Sequence, residues 1–151
     1  MIWKPNVTVA AVIRRDGRYL LVEEDTDDGR RFNQPAGHLD PDESLLDAVI
    51  REVREETRYD FRPTALVGIY LWPHPMRATT YLRFAFRGEL VGHDAGRSLD
   101  TGIIEAHWLS REELAALSGQ HRSPLVMQCI ADFEAGCTAP LELLHHYQKA
   151  A

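Results

Sequence analysis

Three glutamates lie close together in a segment with the pattern of an amphipathic helix. Glu52, Glu55 and Glu56 stand at positions i, i+3 and i+4, so a helix would present their side chains on one face. Two carboxylates about 6 Å apart repel each other by roughly 3 kcal/mol at an effective dielectric constant near 20. A divalent cation would reverse this repulsion, and ligands that are all oxygen favour magnesium or manganese over zinc. The alternative is an acidic, solvated helix face, where such a pair costs only a few tenths of a kcal/mol.

The residues around these glutamates carry a longer pattern. Five residues separate Gly37 from Glu43, and seven separate Glu43 from Arg51. Residues 37–59 thereby resemble the Nudix box, Gly-x5-Glu-x7-Arg-Glu-U-x-Glu-Glu-x-Gly-U, in which U is a bulky aliphatic residue. The matching positions are Gly37, Glu43, Arg51, Glu52, Val53, Glu55 and Glu56. Because so many fixed positions agree, the chain is identified as a member of the Nudix family.

This resemblance implies an enzyme that uses Mg²⁺, with Mn²⁺ as a substitute, to hydrolyse a nucleoside diphosphate linked to another group. The three glutamates, Glu52, Glu55 and Glu56, would bind the metal together with the backbone carbonyl of Gly37. Arg51 would hold the carboxylates in place.

One carboxylate must accept the proton of the attacking water, and Glu55 is a candidate by position. Some family members use an acid from a distant loop instead, and Asp100 and Glu105 are the candidates in this chain. Glu105 stands three residues before Trp108, which is similar to the usual family spacing. A surface carboxylate is the alternative interpretation of Glu105.

Two positions depart from the box pattern. Arg58 replaces the second glycine, and Tyr59 replaces the last aliphatic residue. The family glycine follows the helix, where a residue in the left-handed conformation commonly closes it. We expect arginine at this position to cost on the order of 1 kcal/mol if the same backbone is kept.

Other segments resemble a bacterial group of Nudix phosphatases that take nucleoside triphosphates, nucleoside diphosphates and the thiamine precursor hydroxymethylpyrimidine diphosphate. The segments that carry this resemblance are Lys4–Ala10, Asn33–Leu39, Leu82–Phe84 and Arg122–Val126. We therefore expect cleavage of phosphoanhydride bonds in such substrates. The alternatives are a pyrophosphatase for ADP-ribose or another nucleoside diphosphate derivative, and a non-catalytic nucleotide-binding regulator. The retained box glutamates disfavour the regulator.

Four residues outside the box are candidates for binding the substrate. Trp72 could stack on a base, although a packing role is an equal alternative. Arg83 lies among apolar residues, where a lone arginine must be paired, so it could bind a phosphate or bridge to a box acid. Asn33 could read a base edge through its amide. Lys4 is a cation beside the first strand, with a solvated side chain as its alternative.

Length and composition predict one domain spanning residues 1–151, and the family resemblance implies a small phosphorylated molecule as its partner. The net charge of −6 argues against nucleic acid as a partner, and a phosphate-bearing substrate then needs a bound cation. Cys129 and Cys137 are too few for a disulfide framework. No apolar run has the length of a membrane span, and no signal pattern opens the chain, so we expect a cytoplasmic protein, either a monomer or a homodimer.

The periodicity of the chain predicts an α+β domain with antiparallel hairpins. The resemblance refines this to the Nudix fold, an α/β/α sandwich around a mixed β-sheet, with the box as a loop–helix–loop. The box helix is expected to begin after an N-cap at Asp40 or two to three residues later. The other expected elements are strands at 7–13, 19–22, 67–72, 79–90 and 103–109, a hairpin turn at Asp16-Gly17, and helices after Ser110 and Ser123.

Overall fold

The structure is a computed structural model, and it describes residues 1–150. Within these residues the chain forms eight β-strands, three α-helices and two short 3₁₀ turns. The strands are β1 (Asn6–Val12), β2 (Arg14–Arg15), β3 (Arg18–Thr26), β4 (Gly29–Asn33), β5 (Ala36–His38), β6 (Tyr59–Pro73), β7 (Thr80–His93) and β8 (Ile103–Ser110). The helices are α1 (Leu45–Thr57), α2 (Arg111–Ala116) and α3 (Leu125–Glu134), and the 3₁₀ turns are Ser118–Gln120 and Leu141–Leu143.

The strands form two sheets that share the layer between the helices. One sheet has the order β5-β1-β7-β6 and is mixed, because β1 and β7 run parallel while the other pairs are antiparallel. The other sheet has the order β2-β3-β4, with β8 pairing antiparallel to β3. The predicted class, helices packed on a mixed sheet, is confirmed. The division of the strands into two sheets was not predicted.

Alternation along the strands supplies two apolar cores. Leu20 packs in the cluster that includes Val49 and Val53 of α1, whereas its neighbour Leu21 packs in the cluster that includes Ile130 of α3. Successive side chains of a strand point to opposite faces, so one strand can bury both of its faces under different helices. The α1 layer therefore rests on a fully buried apolar stripe, and its polar face points away from that stripe.

The N-cap of α1 lies four residues after the first expected position, Asp40, and one residue after the latest expected position, residue 43. The helix begins at Leu45 after the N-cap Ser44, whose Oγ accepts a hydrogen bond from the Asp47 amide at 3.0 Å. The expected N-cap at Asp40 is wrong, because Asp42 adopts a φ of 65° and interrupts any right-handed helix there. One contact of the expected capping box still forms before the helix, where the Asp40 amide donates to Glu43 Oε1 at 3.1 Å.

The end of α1 is the expected one. Arg58 adopts φ 66° and ψ 5°, the left-handed conformation, and its amide donates to the Arg54 carbonyl at 3.0 Å. Strand β6 begins at the next residue and is longer than predicted. It continues through Pro63 because this proline lies at a shift in the register with β7, where a missing amide hydrogen is tolerated. Loop 94–102 then connects β7 to β8.

The remaining local predictions agree with the structure. Asp16 and Gly17 have φ angles of 52° and 75°, the left-handed pair that a tight hairpin between β2 and β3 requires. Ser110 caps α2 by accepting a hydrogen bond from the Glu113 amide at 3.1 Å. No helix among residues 1–150 combines the length and the apolar character needed to cross a membrane.

Candidate active site

Helix α1 presents the three box glutamates on one side, but their environments differ. Glu52 and Glu56 are buried, with 7% and 5% of their surface exposed, whereas 41% of the Glu55 side chain is exposed. The apolar residues of α1 face the core, and this orientation draws the first and last of the three carboxylates under the neighbouring strands. Glu55 is thus the box acid that solvent reaches most easily.

Arg51 lies in the middle of the acidic group. Its Nε donates to Glu43 Oε2 at 2.7 Å, and its Nη1 donates to Glu52 Oε1 at 2.8 Å and to Glu55 Oε2 at 3.2 Å. Its Nη2 donates to the carbonyl of His38 at 3.0 Å. The hydrogen bond from Arg51 lowers the pKa of Glu43, and the same pairing raises the pKa of Arg51. This arginine therefore fixes the orientation of the carboxylates around it.

One arginine does not neutralise the whole group. Burial raises the pKa of Glu56 well above its ordinary value, although its Oε1 accepts a hydrogen bond from the Ala36 amide at 2.8 Å. The negative charges of Glu24, Glu52 and Asp100 raise it further. Burial also raises the pKa of Glu52, and Arg51 offsets only part of the rise. The box face thus concentrates negative charge in a poorly solvated place.

Gly37 has a steric reason to be glycine. A Cβ atom built on it would overlap the carboxylate of Glu52. The side chain of any other residue would displace this carboxylate, so glycine at position 37 allows the β5 backbone and the Glu52 carboxylate to lie together as observed. The first glycine of the box pattern thus corresponds to the close contact between the β5 backbone and the Glu52 carboxylate.

The donor set suits a hard divalent cation. It consists of carboxylate and carbonyl oxygens, two of the carboxylates are buried, and the group carries excess negative charge. In residues 1–150 no three His, Cys, Asp or Glu side chains are gathered closely enough to hold a metal, because Arg51 and the Ala36 amide engage the carboxylates. The chemistry of the residues fits Mg²⁺ or Mn²⁺, and the carboxylates would have to turn from these partners.

The expectation that Glu105 is a loop acid beside the box is wrong. Glu105 lies on strand β8 opposite Glu23 and is exposed. Its neighbours Ala106 and Trp108 pack toward α1, so alternation along the strand turns Glu105 to the other face. The other candidate, Asp100, lies beside the box: its amide donates to the Glu55 carbonyl at 2.9 Å.

A cavity of about 250 Å³ opens beside Ala36 and Gly37. Its buried wall holds Arg83, whose Nη1 donates to Gln34 Oε1 at 3.1 Å and whose Nη2 donates to Asn33 Oδ1 at 2.9 Å. These partners are neutral, so the interpretation of Arg83 as a bridge to a box acid is wrong. Arg83 is a buried cation on a cavity wall, held in position by amides that do not cancel its charge.

The structure places the other predicted binding residues as follows. Trp72 lines the cavity and stacks on Tyr81, with ring centroids 5.9 Å apart and an angle of 20° between the planes. Asn33 also lines the cavity; its Oδ1 accepts a hydrogen bond from Arg83, and its Nδ2 is the donor left for a base. Lys4 is exposed and is not part of the cavity lining.

Sequence reasoning missed several charged residues of the cavity. Arg31, Arg77 and Arg122 line it together with Arg83. They come from distant hairpins and loops, and no spacing in the sequence connects them. Glu24 of β3 was also missed; 15% of its side chain is exposed, and burial raises its pKa while Arg122 and Arg83 lower it.

A second cavity of about 310 Å³ lies on the Glu56 side of the box. It shares Glu24, Arg77 and Arg122 with the first cavity. The acidic face of α1 and the arginine-lined cavity are therefore neighbours, and a single elongated molecule can contact both.

Comparison with known proteins agrees with this geometry. The NUDIX domain family matches residues 3–128 of the chain. The chain belongs to the Nudix family. This Nudix protein is 38% identical over 143 residues to Phosphatase NudJ of Escherichia coli K12, an alignment that covers 95% of the chain and 92% of the relative. As a Nudix hydrolase it is an enzyme that acts on anhydride bonds of phosphorus compounds.

Solved structures give the same result. A NUDIX hydrolase from Nitrosomonas europaea superposes with a TM-score of 0.94 and 53% identity, covering 97% of this Nudix chain and 100% of the other. An ADP-ribose pyrophosphatase from Streptococcus suis superposes with a TM-score of 0.64 and 25% identity, covering 88% and 92%. The predicted Nudix fold is confirmed.

Proposed function

We propose that this Nudix hydrolase cleaves phosphoanhydride bonds of nucleoside triphosphates and diphosphates with the help of Mg²⁺, and that it accepts hydroxymethylpyrimidine diphosphate. The observation that carries the proposal is the adjacency of the acidic α1 face and the arginine-lined cavity through Glu24, Arg77 and Arg122. The similarity to Phosphatase NudJ supports the same substrate class.

The cavity is built to receive an anion. Arg83 donates to neutral amides, and Glu24 and Asp28 are the two acids among four arginines on the lining, so part of the counter-charge is missing. Phosphate oxygens would supply that counter-charge, and a guanidinium can bind two of them at once. Arg31 and Arg122 on the same lining would add further positive charge, so the phosphate chain belongs in this region.

The acidic face has the complementary task. Glu52, Glu55 and Glu56, with the carbonyl of Gly37, would hold the cation, while Arg51 keeps Glu52 and Glu55 oriented. The bound cation supplies positive charge that polarises the bridging phosphate and makes the attacking water more acidic. Glu55 would accept the proton of this water, because it is the most exposed of the three acids. This role in catalysis rests on position and exposure.

The rest of the cavity favours one aromatic ring. Trp72 and Tyr81 form a stacked pair on its lining, a surface on which a pyrimidine or purine could lie. A volume of about 250 Å³ is small beside the roughly 300–1,000 Å³ of typical ligand pockets. A molecule with one base and a terminal phosphate chain fits this space and the neighbouring cavity of about 310 Å³ better than a molecule with sugar or base units at both ends of its diphosphate.

ADP-ribose is the second candidate substrate, because a related structure is an ADP-ribose pyrophosphatase. A panel of substrates at equal concentration separates the two proposals: GTP, GDP, hydroxymethylpyrimidine diphosphate and ADP-ribose. Inorganic phosphate and pyrophosphate are measured for the first three, and AMP is measured for ADP-ribose, whose hydrolysis gives AMP and ribose 5-phosphate. We expect turnover of the first three, dependent on Mg²⁺, to exceed that of ADP-ribose. A preference for ADP-ribose would overturn the proposed substrate class, and undiminished activity in EDTA would overturn the need for a metal.

A further inference from the structure

Loop 94–102 is attached to the end of α1 by backbone hydrogen bonds at both of its ends. The Asp94 amide donates to the Arg58 carbonyl at 3.1 Å, and the Asp100 amide donates to the Glu55 carbonyl at 2.9 Å. The second bond ends on a box residue, so the loop lies directly against the acidic face of the helix. Asp100 is consequently close enough to raise the pKa values of Glu52 and Glu56 through its charge.

Side chains reinforce this attachment in the middle of the loop. Arg58 Nε donates to the Arg97 carbonyl at 2.5 Å, and Arg97 Nη1 donates back to the Arg58 carbonyl at 3.3 Å. Arg97 also contacts Asp60, with Nη1 to Oδ1 at 3.0 Å and Nη2 to Oδ2 at 3.4 Å. Arg54, in the last turn of α1, also contacts Asp60, with Nη2 to Oδ1 at 3.0 Å.

The residue that starts this set of contacts is the one that departs from the box pattern. Glycine at position 58 would adopt the left-handed conformation with less strain than arginine. Glycine, however, could not donate to the Arg97 carbonyl. The strain at Arg58 is therefore accompanied by one contact that a glycine would lose, the hydrogen bond from Nε to the Arg97 carbonyl in the loop that carries Asp100.

We propose that Arg58, Asp60 and Arg97 form a clasp that holds loop 94–102 against the end of α1 and keeps Asp100 beside the box carboxylates. Arg58 is in this account a positioning residue, which acts through the loop and touches neither substrate nor metal. The proposal rests on the proposed function in one respect, that the acidic group beside Asp100 receives a divalent cation.

The first test is Arg58→Gly in the full chain, followed by amide hydrogen exchange without metal or substrate. We expect exchange of the Asp100 amide to become about tenfold faster, while amides in the middle of α1 keep their protection. Asp16→Gly is the matched control, because it relieves another left-handed residue, φ 52°, in the hairpin between β2 and β3, outside the clasp. Unchanged exchange of Asp100 in Arg58→Gly would overturn the clasp.

The second test measures Mn²⁺ binding by electron paramagnetic resonance. Arg58→Gly and Arg97→Ala should each weaken Mn²⁺ binding by about tenfold, and the Mg²⁺ concentration that gives half-maximal activity should rise by a similar factor. Asp100→Asn should weaken Mn²⁺ binding without faster exchange of the loop. Mn²⁺ affinity that stays at the wild-type value in both arginine variants would overturn the link from clasp to site.

The proposed function and the clasp can be refuted separately. A wild-type protein without metal-dependent hydrolysis would refute the proposed function, but the exchange experiment would still decide whether the clasp exists. If Arg58→Gly does not fold, Arg97→Ala carries the same test, because it removes the contacts to Asp60 and leaves the backbone of residue 58 unchanged.

Discussion

The box face of α1 and the arginine-lined cavity both hold buried charge, but the charge is of opposite sign in the two places. On α1, Glu52 and Glu56 are buried near other acids, and Arg51 offsets only part of the effect on Glu52. In the cavity, Arg83 is buried against the neutral amides of Asn33 and Gln34. Neither region is fully neutralised by its own residues, since the cavity lining carries four arginines against Glu24 and Asp28. Each region therefore fits a counter-charge from outside: a cation on the acidic face and phosphate in the cavity.

Because the acidic face and the cavity are adjacent, one substrate can contact both kinds of charge. With a net charge of −6, the chain as a whole repels polyphosphates, and the arginines provide a local exception. A substrate that extends from the cavity to the box would carry its negative charge past both the arginines and the bound cation. The following changes alter one region at a time.

The largest effect is expected on the acidic side. Glu55→Gln should lower kcat by about 10²- to 10⁴-fold, because it removes the proposed proton acceptor, while circular dichroism stays unchanged. Glu112→Gln is the control, since Glu112 is an exposed acid on α2, away from both cavities. Phosphate release measured for both variants gives the comparison. Wild-type activity in Glu55→Gln would remove this residue from the mechanism.

The next effect is expected on the basic side. Arg83→Ala should raise KM by roughly 10- to 100-fold and change kcat less, because a charge-assisted contact to phosphate is lost. Arg87→Ala is its matched control: Arg87 lies on the same face of β7 but stacks on Phe133, with its guanidinium 4.2 Å from the ring centroid. An unchanged KM in Arg83→Ala would count against phosphate binding.

A smaller effect is expected at the aromatic pair. Trp72→Ala should weaken binding of nucleotides by about tenfold, the scale of one base stacked on an aromatic ring. Hydrolysis of inorganic tripolyphosphate, which has no ring, should not change. The exposed Trp3 offers the control substitution. Equal losses with both substrates would show that Trp72 supports the fold and not the base.

The smallest effect is expected for Glu105→Gln. Because Glu105 is on the face of β8 away from α1, its substitution should change kcat and KM by less than about twofold. Steady-state kinetics on the same substrates as for Glu55→Gln are sufficient. A loss comparable to that of Glu55→Gln would restore Glu105 as the proton acceptor.

The differences between sequence-based prediction and structure have local physical causes. Spacing within one helix predicted the shared side of Glu52, Glu55 and Glu56, since helical geometry alone determines it. The spacing of Glu105 from Trp108 predicted a loop acid, but pairing of β8 with β3 decided which face the side chain takes. Such pairing depends on residues far away in the chain.

The cavity shows the same limit. Arg83 was recognisable because a lone arginine in an apolar strand requires a partner, yet its partners could not be inferred from sequence. Arg31, Arg77 and Arg122 resemble ordinary surface residues until two sheets bring their hairpins and loops together. The predicted N-cap at Asp40 was wrong for a different reason: Asp42 adopts the left-handed conformation, which a helix beginning at Asp40 could not contain.

The pKa directions give a test of the acidic side that does not use activity. Since the pKa values of Glu52 and Glu56 are raised in the folded state, folded protein binds more protons than unfolded protein at pH values between the ordinary 4.5 and the raised values. The metal-free protein should therefore lose stability as the pH rises through this window. Mg²⁺ should restore that stability above the window and have little effect below it.

Thermal unfolding of wild type and Glu56→Gln, with and without Mg²⁺ at about pH 8, tests the central claim most directly. Glutamine can keep the hydrogen bond from the Ala36 amide while removing the buried charge. We predict that metal-free Glu56→Gln is more stable than metal-free wild type and that Mg²⁺ raises its Tm less. A less stable variant with an undiminished Mg²⁺ effect would contradict the claim that these buried acids hold a cation.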